Sequence, residues 1–521
     1  MKMMIRVVVL LMLILQSGIG LAQNETPRPT QEQLKALLSD FDQYAENSRR
    51  DWNIPGMAIG IVQDGKVIFA KGYGVRTIGR PEPVTEQTVF QIGSTTKAFT
   101  ATVAGMLVDE GKFKWEEQVI KHLPDFLMYD PWVTREFQVV DLMAQRSGLQ
   151  PYSLDKLFFL GFDRPYIIQA LRQVKPVSSF RSSYGYQNNL WLVAAQLIEK
   201  YSGKTYEQTL KERIFDPLGM ADTSADKGSY IHAKNAASVH VPKDGIIKVL
   251  PMSSGLIDWS YVAGPAGSIN SNVLDMTKWL TFQMSNGKLN DKQLISESSM
   301  RVIHTPKTIT SLEQSVHKNR FYCLGWIYEE HSPNPMIWHN GSTLMKTMIA
   351  FIPEEKVGIV VLSNYVSELP EALALRFLNQ YDGKPAGDLS AKLLVERKKR
   401  IKESETKKSV APQNPQLPMP LGRYTGNYLN EIYGKLTISL SDDKLVMALG
   451  PNNIKNTLKH WDRDLFVAEI APDYPDQDIS YISFRVDLQG LVTSLAVGDE
   501  IQGDKADIFI KIQENRSASN N

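Results

Sequence analysis

Three short groups of residues hold the side-chain types from which nucleophilic catalysis is built. Ser94 and Lys97 lie in Gln91-Ile92-Gly93-Ser94-Thr95-Thr96-Lys97-Ala98-Phe99. Tyr186 and Asn188 lie in Tyr184-Gly185-Tyr186-Gln187-Asn188-Asn189, and His339, Gly341 and Ser342 in Trp338-His339-Asn340-Gly341-Ser342. A serine hydroxyl is a weak nucleophile until a neighbouring base takes its proton. A lysine one helical turn away, its pKa lowered by burial or by other cations, can take that proton or relay it. A phenol beside a lysine ammonium is stabilised as phenolate, which makes Tyr186 a second candidate base. Asn188 offers a donor and an acceptor to Lys97 or to a substrate amide. Gly341 lets a ligand approach the strand backbone, and on that geometry the N–H groups of Ser342 and Ser94 can pair as an oxyanion hole.

Each group is a weak signal alone. Ser-x-x-Lys occurs seven times, beginning at Ser94, Ser153, Ser224, Ser285, Ser315, Ser404 and Ser441, so the pattern by itself selects nothing. Tyr-x-Asn recurs at Tyr428-Leu429-Asn430, whereas His339-Asn340-Gly341 is the single His-x-Gly. A capping serine before a solvated lysine, a packed turn tyrosine and a strand histidine against Trp338 are the plain alternatives.

The elements that must position these groups can be read from periodicity. After Ser94, at or next to an N-cap, Phe99, Val103, Met106 and Leu107 recur on one helical face, and Gly111 is a C′ stop. Residues 31–50 read as an amphipathic helix with Leu34, Leu37, Leu38 and Phe41 on one side. Residues 56–62 and 67–70 read as strands around a tight Asp64-Gly65 turn. Residues 336–342, 347–353 and 357–362 read as three neighbouring antiparallel strands, the last wholly apolar and so buried on both faces. Phe158, Phe159, Phe162 and Tyr166 either line a pocket or pack in the core.

Composition excludes several function classes. Lys and Arg total 58 against 57 Asp and Glu, a net charge of +1, which gives no basic surface for nucleic acid. The eight histidines show no metal-ligand spacing, so no metal and no cofactor are expected. Cys323 is the sole cysteine and sits in the apolar run Phe321 to Trp326, reading as a buried small hydrophobe. Lys2 and Arg6 precede the apolar run Val7 to Leu15, followed by Gly18, Gly20 and Ala22: an exported protein with a signal peptide over residues 1–22 is expected, and no stable membrane insertion after cleavage. An uncleaved anchor is the alternative. Residues 383–420, dense in Lys, Arg and Glu and then in Pro, read as a solvated helix and a linker. From 421 to 521 short alternating segments read as a small antiparallel β domain.

Taken together, the order and setting of the three groups resemble the serine β-lactamase-like superfamily of class C β-lactamases, penicillin-binding proteins, and related esterases and D-amino-acid peptidases. The resemblance spans roughly residues 30–380 and includes Asp141 to Leu149 and Ile214 to Met220. The C-terminal segment is similar to the lipocalin-like β domain appended to some of these hydrolases. The resemblance implies an α/β (α+β) fold, an antiparallel sheet flanked by helices plus a helical region, over residues 23–382, with a separate all-β unit. It also implies acyl transfer, with Ser94 attacking, Lys97 and Tyr186 moving the proton, and Asn188, His339, Gly341 and Ser342 binding a small-molecule or peptide substrate. Absence of Gly-x-Ser-x-Gly counts against the α/β-hydrolase version of the chemistry. β-Lactamases typically carry Lys where His339 stands. A histidine is largely neutral at pH 7, so an esterase or peptidase is favoured over a β-lactamase or DD-peptidase. A catalytically silent binding protein is the rival from another class.

Overall fold

The computed structural model describes residues 28–512 except 244, 313–318, 332–333, 386, 408–411, 469–479 and 499–505. The leader reading, on residues 1–22, lies outside the described residues. Its first element, helix α1 (Gln31–Asp51), opens with a capping box between Thr30 and Gln33 and buries Phe41 and Ala45.

The central layer is an eight-stranded antiparallel sheet. Its strands are β1 (Gly56–Gln63), β2 (Lys66–Gly74), β3 (Thr308–Ser311), β4 (Arg320–Tyr322), β5 (Ile327–Glu329), β6 (Met336–Ser342), β7 (Lys346–Ile352) and β8 (Val357–Ser363), ordered β2-β1-β8-β7-β6-β5-β4-β3. Asp64 and Gly65, both at positive φ, make the β1–β2 turn.

Both faces of this sheet are covered, which is why β8 is apolar throughout. Val357, Ile359 and Val361 pack with α1 and with helix Leu369–Tyr381, while Val360 and Leu362 face the other core. On that second side lie α2 (Thr96–Asp109), α3 (Asp155–Leu160), α4 (Asn189–Ser202), α5 (Gly255–Val262) and α6 (Val273–Met284). Gly60 lets α6 press onto β1: a Cβ there would stand 3.0 Å from the Thr277 methyl. Phe99 of α2 stacks on Trp279 of α6 at 3.7 Å between centroids, tying the first catalytic-type helix to the sheet through a second one.

Helix Leu389–Lys407 is less solvated than its charge suggests. Leu389, Leu393 and Leu394 pack against the sheet-side core, and Arg397 pairs with Glu368 at 2.9 Å.

The separate C-terminal β domain is one nine-stranded antiparallel sheet: β9 (Gly426–Asn430), β10 (Gly434–Ser441), β11 (Lys444–Leu449), β12 (Ile454–Thr457), β13 (Lys459–Asp462), β14 (Leu465–Ala468), β15 (Ser480–Val486), β16 (Val492–Val497) and β17 (Asp507–Lys511). Their order is β12-β11-β10-β9-β17-β16-β15-β14-β13, so the two outermost strands are consecutive in the chain, with Leu458 alone between them. The sheet therefore curls to a nearly closed barrel. Leu436 and Ile438 of β10 point inward with Tyr428, Phe484 and Phe509, while Lys435 and Ser439 face out and Leu440, on the inward face at the end of the strand, is half exposed. That is the alternation of a half-solvated sheet with a packed interior. Tyr428, of the second Tyr-x-Asn, is barrel core, its hydroxyl donating to the Tyr424 carbonyl at 2.6 Å.

The barrel rests on the helical region. Tyr166 Oη donates to the Ile432 carbonyl at 2.9 Å, and Lys156 pairs with Asp507 at 2.9 Å. Phe158 and Phe162 are buried and Phe162 stacks on Tyr166 at 4.4 Å, so this aromatic stretch is packing that supports the barrel contact.

Candidate active site

The turn that carries Ser94 is built by two glycines and a threonine. Gly93 takes φ +53°, and residues 93–95 form one 3₁₀ turn that leads into α2. Thr95 caps the turn by donating to the Ile92 carbonyl at 2.9 Å. Ser94 thus stands one residue before the helix N-cap, which is Thr95. The end of β6 lies directly against this turn. A Cβ on Gly341 would stand 1.9 Å from the Ile92 carbonyl oxygen, and one on Gly93 2.8 Å from the Ser342 nitrogen. Only glycine fits at either place. The amides of Ser94 and Ser342 are neighbours as a consequence.

Lys97 is fully buried at the base of the cleft. Its Nζ donates to Ser94 Oγ at 3.1 Å, to Asn188 Oδ1 at 2.7 Å and to the Ala266 carbonyl at 3.0 Å. Burial lowers its pKa to about 7, although the Asp155 carboxylate pulls the other way. A large share of Lys97 is therefore free amine near neutrality, the form that accepts a proton. In two of the look-alike Ser-x-x-Lys pairs the lysine is committed elsewhere, Lys156 to Asp507 and Lys227 to Asp258.

The Tyr186 loop is clamped by Gln145. The Gln145 side chain accepts from Gln187 N at 2.6 Å and donates to the Gln187 carbonyl at 3.1 Å, while Gly185 N donates to the Gln145 carbonyl. Asp141, wholly buried, anchors the same region by binding Arg146 at 2.8 Å and Arg181 at 2.5 Å. Tyr186 shares a hydrogen bond with Ser94, but burial pushes its phenol well above its ordinary value. Lys97 Nζ sits over the ring, 4.8 Å from its centroid. The phenolate expectation for Tyr186 is corrected accordingly: the phenol stays protonated, because desolvation outweighs a lysine that is itself close to neutral.

His339 is buried too. Its Nδ1 meets the Asn340 carbonyl at 2.5 Å, which fixes the proton on that nitrogen, and Nε2 meets the Tyr322 hydroxyl at 3.2 Å. Burial, then Lys97, lower its pKa to about 3. Nearby Lys346 of β7 is paired with Glu371 at 2.7 Å. The third group therefore presents a neutral imidazole.

The structure brings together Ser94, Lys97, Tyr186, Asn188, His339, Gly341 and Ser342, all seven of the residues expected from the sequence. It adds four that sequence reading did not mark: Gln145, Ala266, Tyr322 and Asp155. Asp155 sits inside Ser153-Leu154-Asp155-Lys156, a look-alike of the nucleophile pattern, and nothing local distinguishes it. Ala266 acts through a carbonyl, to which side-chain identity gives no clue. Cys323 is buried, and that burial pushes its thiol up to about 12. Among the described residues no cluster of three His, Cys, Asp or Glu could hold a metal, and no helix is long and apolar enough to cross a membrane.

A family model described as Beta-lactamase matches residues 41–381, the span that holds every one of these side chains. The chain belongs to the Beta-lactamase family. Residues 409–510 match a second model, described as a domain of unknown function (DUF3471). The chain is 28% identical over 440 residues to "Unguisins hydrolase ungD'" of Aspergillus campestris, covering 80% of each chain. It is 25% identical over 353 residues to "Protein flp" of Staphylococcus aureus strain MW2, covering 65% of this chain and 66% of that one. The solved octameric penicillin-binding protein homologue from Pyrococcus abyssi has the same fold, with a TM-score of 0.61 at 20% identity over 91% of this chain and 99% of that one.

Proposed function

We propose that this member of the Beta-lactamase family is an exported serine hydrolase that forms an acyl-enzyme at Ser94. The contact of Ser94 Oγ with Lys97 Nζ at 3.1 Å, inside a pocket that keeps the lysine near neutral, carries the reading. Ser94 Oγ attacks a substrate carbonyl carbon while its proton passes to Lys97 Nζ. The carbonyl electron pair moves onto oxygen, facing the amides of Ser94 and Ser342. As the tetrahedral centre collapses, Lys97 returns the proton, directly or through the Tyr186 phenol, to the departing oxygen or nitrogen. Water then adds to the acyl-enzyme and gives its proton to Lys97; as the acyl–Oγ bond breaks, Lys97 passes that proton to Ser94 Oγ, which restores the starting hydroxyl and amine.

The substrate in this reading is an ester, amide or peptide without a carboxylate next to the scissile bond, because the third group supplies a neutral His339 and a lysine already paired. That same feature counts against β-lactams and against acyl-D-Ala-D-Ala substrates. The relative named as an unguisins hydrolase is in keeping with hydrolysis. Residues 23–382 would be the hydrolase unit, 383–420 a linker and 421–521 an accessory β domain.

Intact-mass spectrometry after incubation with a fluorophosphonate, a p-nitrophenyl ester or a chromogenic cephalosporin tests the proposal. Ser94 should carry the adduct and Ser94→Ala should carry none. Labelling of Ser94→Ala would sink it, and a folded wild type inert to the whole panel would favour the silent binding protein.

A further inference from the structure

Asp155 has no part in the mechanism above, yet it stands directly behind it. Its Oδ2 accepts from Asn188 Nδ2 at 2.7 Å, and Oδ1 of the same amide accepts from Lys97 Nζ at 2.7 Å. An amide has one donating and one accepting end, so a carboxylate on the nitrogen side obliges the oxygen side to face the lysine. The other carboxylate oxygen, Asp155 Oδ1, is buried and has no hydrogen-bond partner. A buried orphan of this kind is costly and calls for a reason. The carboxylate is also held from behind. At the far end of α3 the barrel presses on Leu160, where a Cβ on Gly450 would stand 2.5 Å from the Leu160 carbonyl oxygen, and Lys156 is tied to Asp507.

We propose that Asp155 is a positioning residue for acyl transfer: through Asn188 it holds Lys97 Nζ against Ser94 Oγ and sets how firmly that nitrogen keeps its proton. This rests on the reading of Ser94 as nucleophile. Other groups around the pair are neutral or engaged. Burial keeps Tyr152, Tyr184 and Tyr186 protonated and His339 uncharged. From α5 Asp258 is paired with Lys227, on α3 itself Lys156 is paired with Asp507, and Arg164 is paired with Glu207. Asp155 is the carboxylate whose field acts on Lys97; burial raises its own pKa to about 7, so it carries its charge chiefly above that pH, where it favours the ammonium. Removing its charge should therefore ease loss of the lysine proton.

The test uses the full chain labelled at lysine Cε and Nζ, with the Lys97 signal assigned by its loss in Lys97→Met. In Asp155→Asn, which keeps an acceptor for Asn188 but no charge, the Lys97 titration should move to lower pH by on the order of one unit. In Asp155→Ala, which keeps neither, fluorophosphonate labelling of Ser94 should slow by about tenfold or more as the amine loses its register. A role in stability alone would lower the melting temperature and leave the lysine titration where it is. An unmoved titration in Asp155→Asn overturns the inference, and so does wild-type labelling by a folded Asp155→Ala protein. A wild type that titrates as described but leaves Ser94 unlabelled would instead overturn the acyl-enzyme reading.

Discussion

The Cα of Gly341 and the carbonyl of Ile92 are in such close contact that a methyl group on residue 341 would stand 1.9 Å from the oxygen. Backbone meets backbone there, so no side chain can swing away to relieve a substitution. Gly341→Ala must displace either the end of β6 or the Ser94 turn, and with it the pairing of the Ser94 and Ser342 amides. Loss of one oxyanion donor costs roughly 10²–10³-fold in rate, and overpacking costs about 1–3 kcal/mol of stability. Acylation of Gly341→Ala should fall by that factor, and its melting temperature should drop. A variant that labels at the wild-type rate would separate the two amides from catalysis.

Lys97 and Asp155 make a stability prediction with a definite sign. Asp155 has its pKa raised from 3.8 to about 7, so between those values the folded protein holds more protons than the unfolded chain, and stability falls as pH rises. Lys97 has its pKa lowered from 10.5 to about 7, so between 7 and 10.5 the folded protein holds fewer, and stability rises with pH. The pair should produce a local minimum of stability near pH 7. Melting temperatures between pH 4 and 10 for wild type and for the Lys97→Met, Asp155→Asn double variant test this. The difference curve should dip near neutrality, and a flat one would mean the two groups do not titrate there.

What the sequence disclosed and what it withheld divide along physical lines. Elements with a strong period were legible: α1, the β1–β2 hairpin at Asp64-Gly65, and β6 to β8, whose apolar run reflects cover on both faces. The seven candidate residues, which the fold brings together, could be picked out because their order and setting resemble a known pattern, not because any one group is rare. The protonation states were not. Tyr186 beside Lys97 suggests a phenolate by proximity, but the depth of burial that reverses this is a tertiary property. Asp155 and the Ala266 carbonyl were invisible for the same reason: they are brought to Lys97 by the packing of α3, α4 and the short helix Gly264–Gly267 that follows α5, and carry no local signature.

The neutral state of His339 bears on specificity. With its pKa near 3, Nδ1–H committed to Asn340 and Nε2 to Tyr322, the ring offers no cation to an incoming carboxylate. Matched pairs of p-nitrophenyl esters that differ by one carboxylate near the carbonyl should show it. The charged member should lose about tenfold or more in kcat/KM through its uncompensated desolvation. The pH profile should carry no step from His339 between pH 5 and 9. Preference for the charged ester would point to a cation that reaches the cleft when substrate binds.

The barrel contact at Leu160 predicts that damage in the C-terminal sheet is felt at Ser94. Gly450 and Gly490 both take φ +75°, so alanine at either meets the same backbone strain, on the order of 1 kcal/mol. They differ in surroundings: a Cβ on Gly490 meets nothing within 4 Å, whereas one on Gly450 would stand 2.5 Å from the Leu160 carbonyl. Gly490→Ala should therefore lower stability slightly and leave labelling of Ser94 unchanged. Gly450→Ala should push the barrel away from α3 and slow labelling as well, since α3 begins at Asp155 and Asp155 holds Asn188. Parallel melting curves and labelling time courses compare the two. Equal labelling rates would show that the barrel rests on the helical region without steering it.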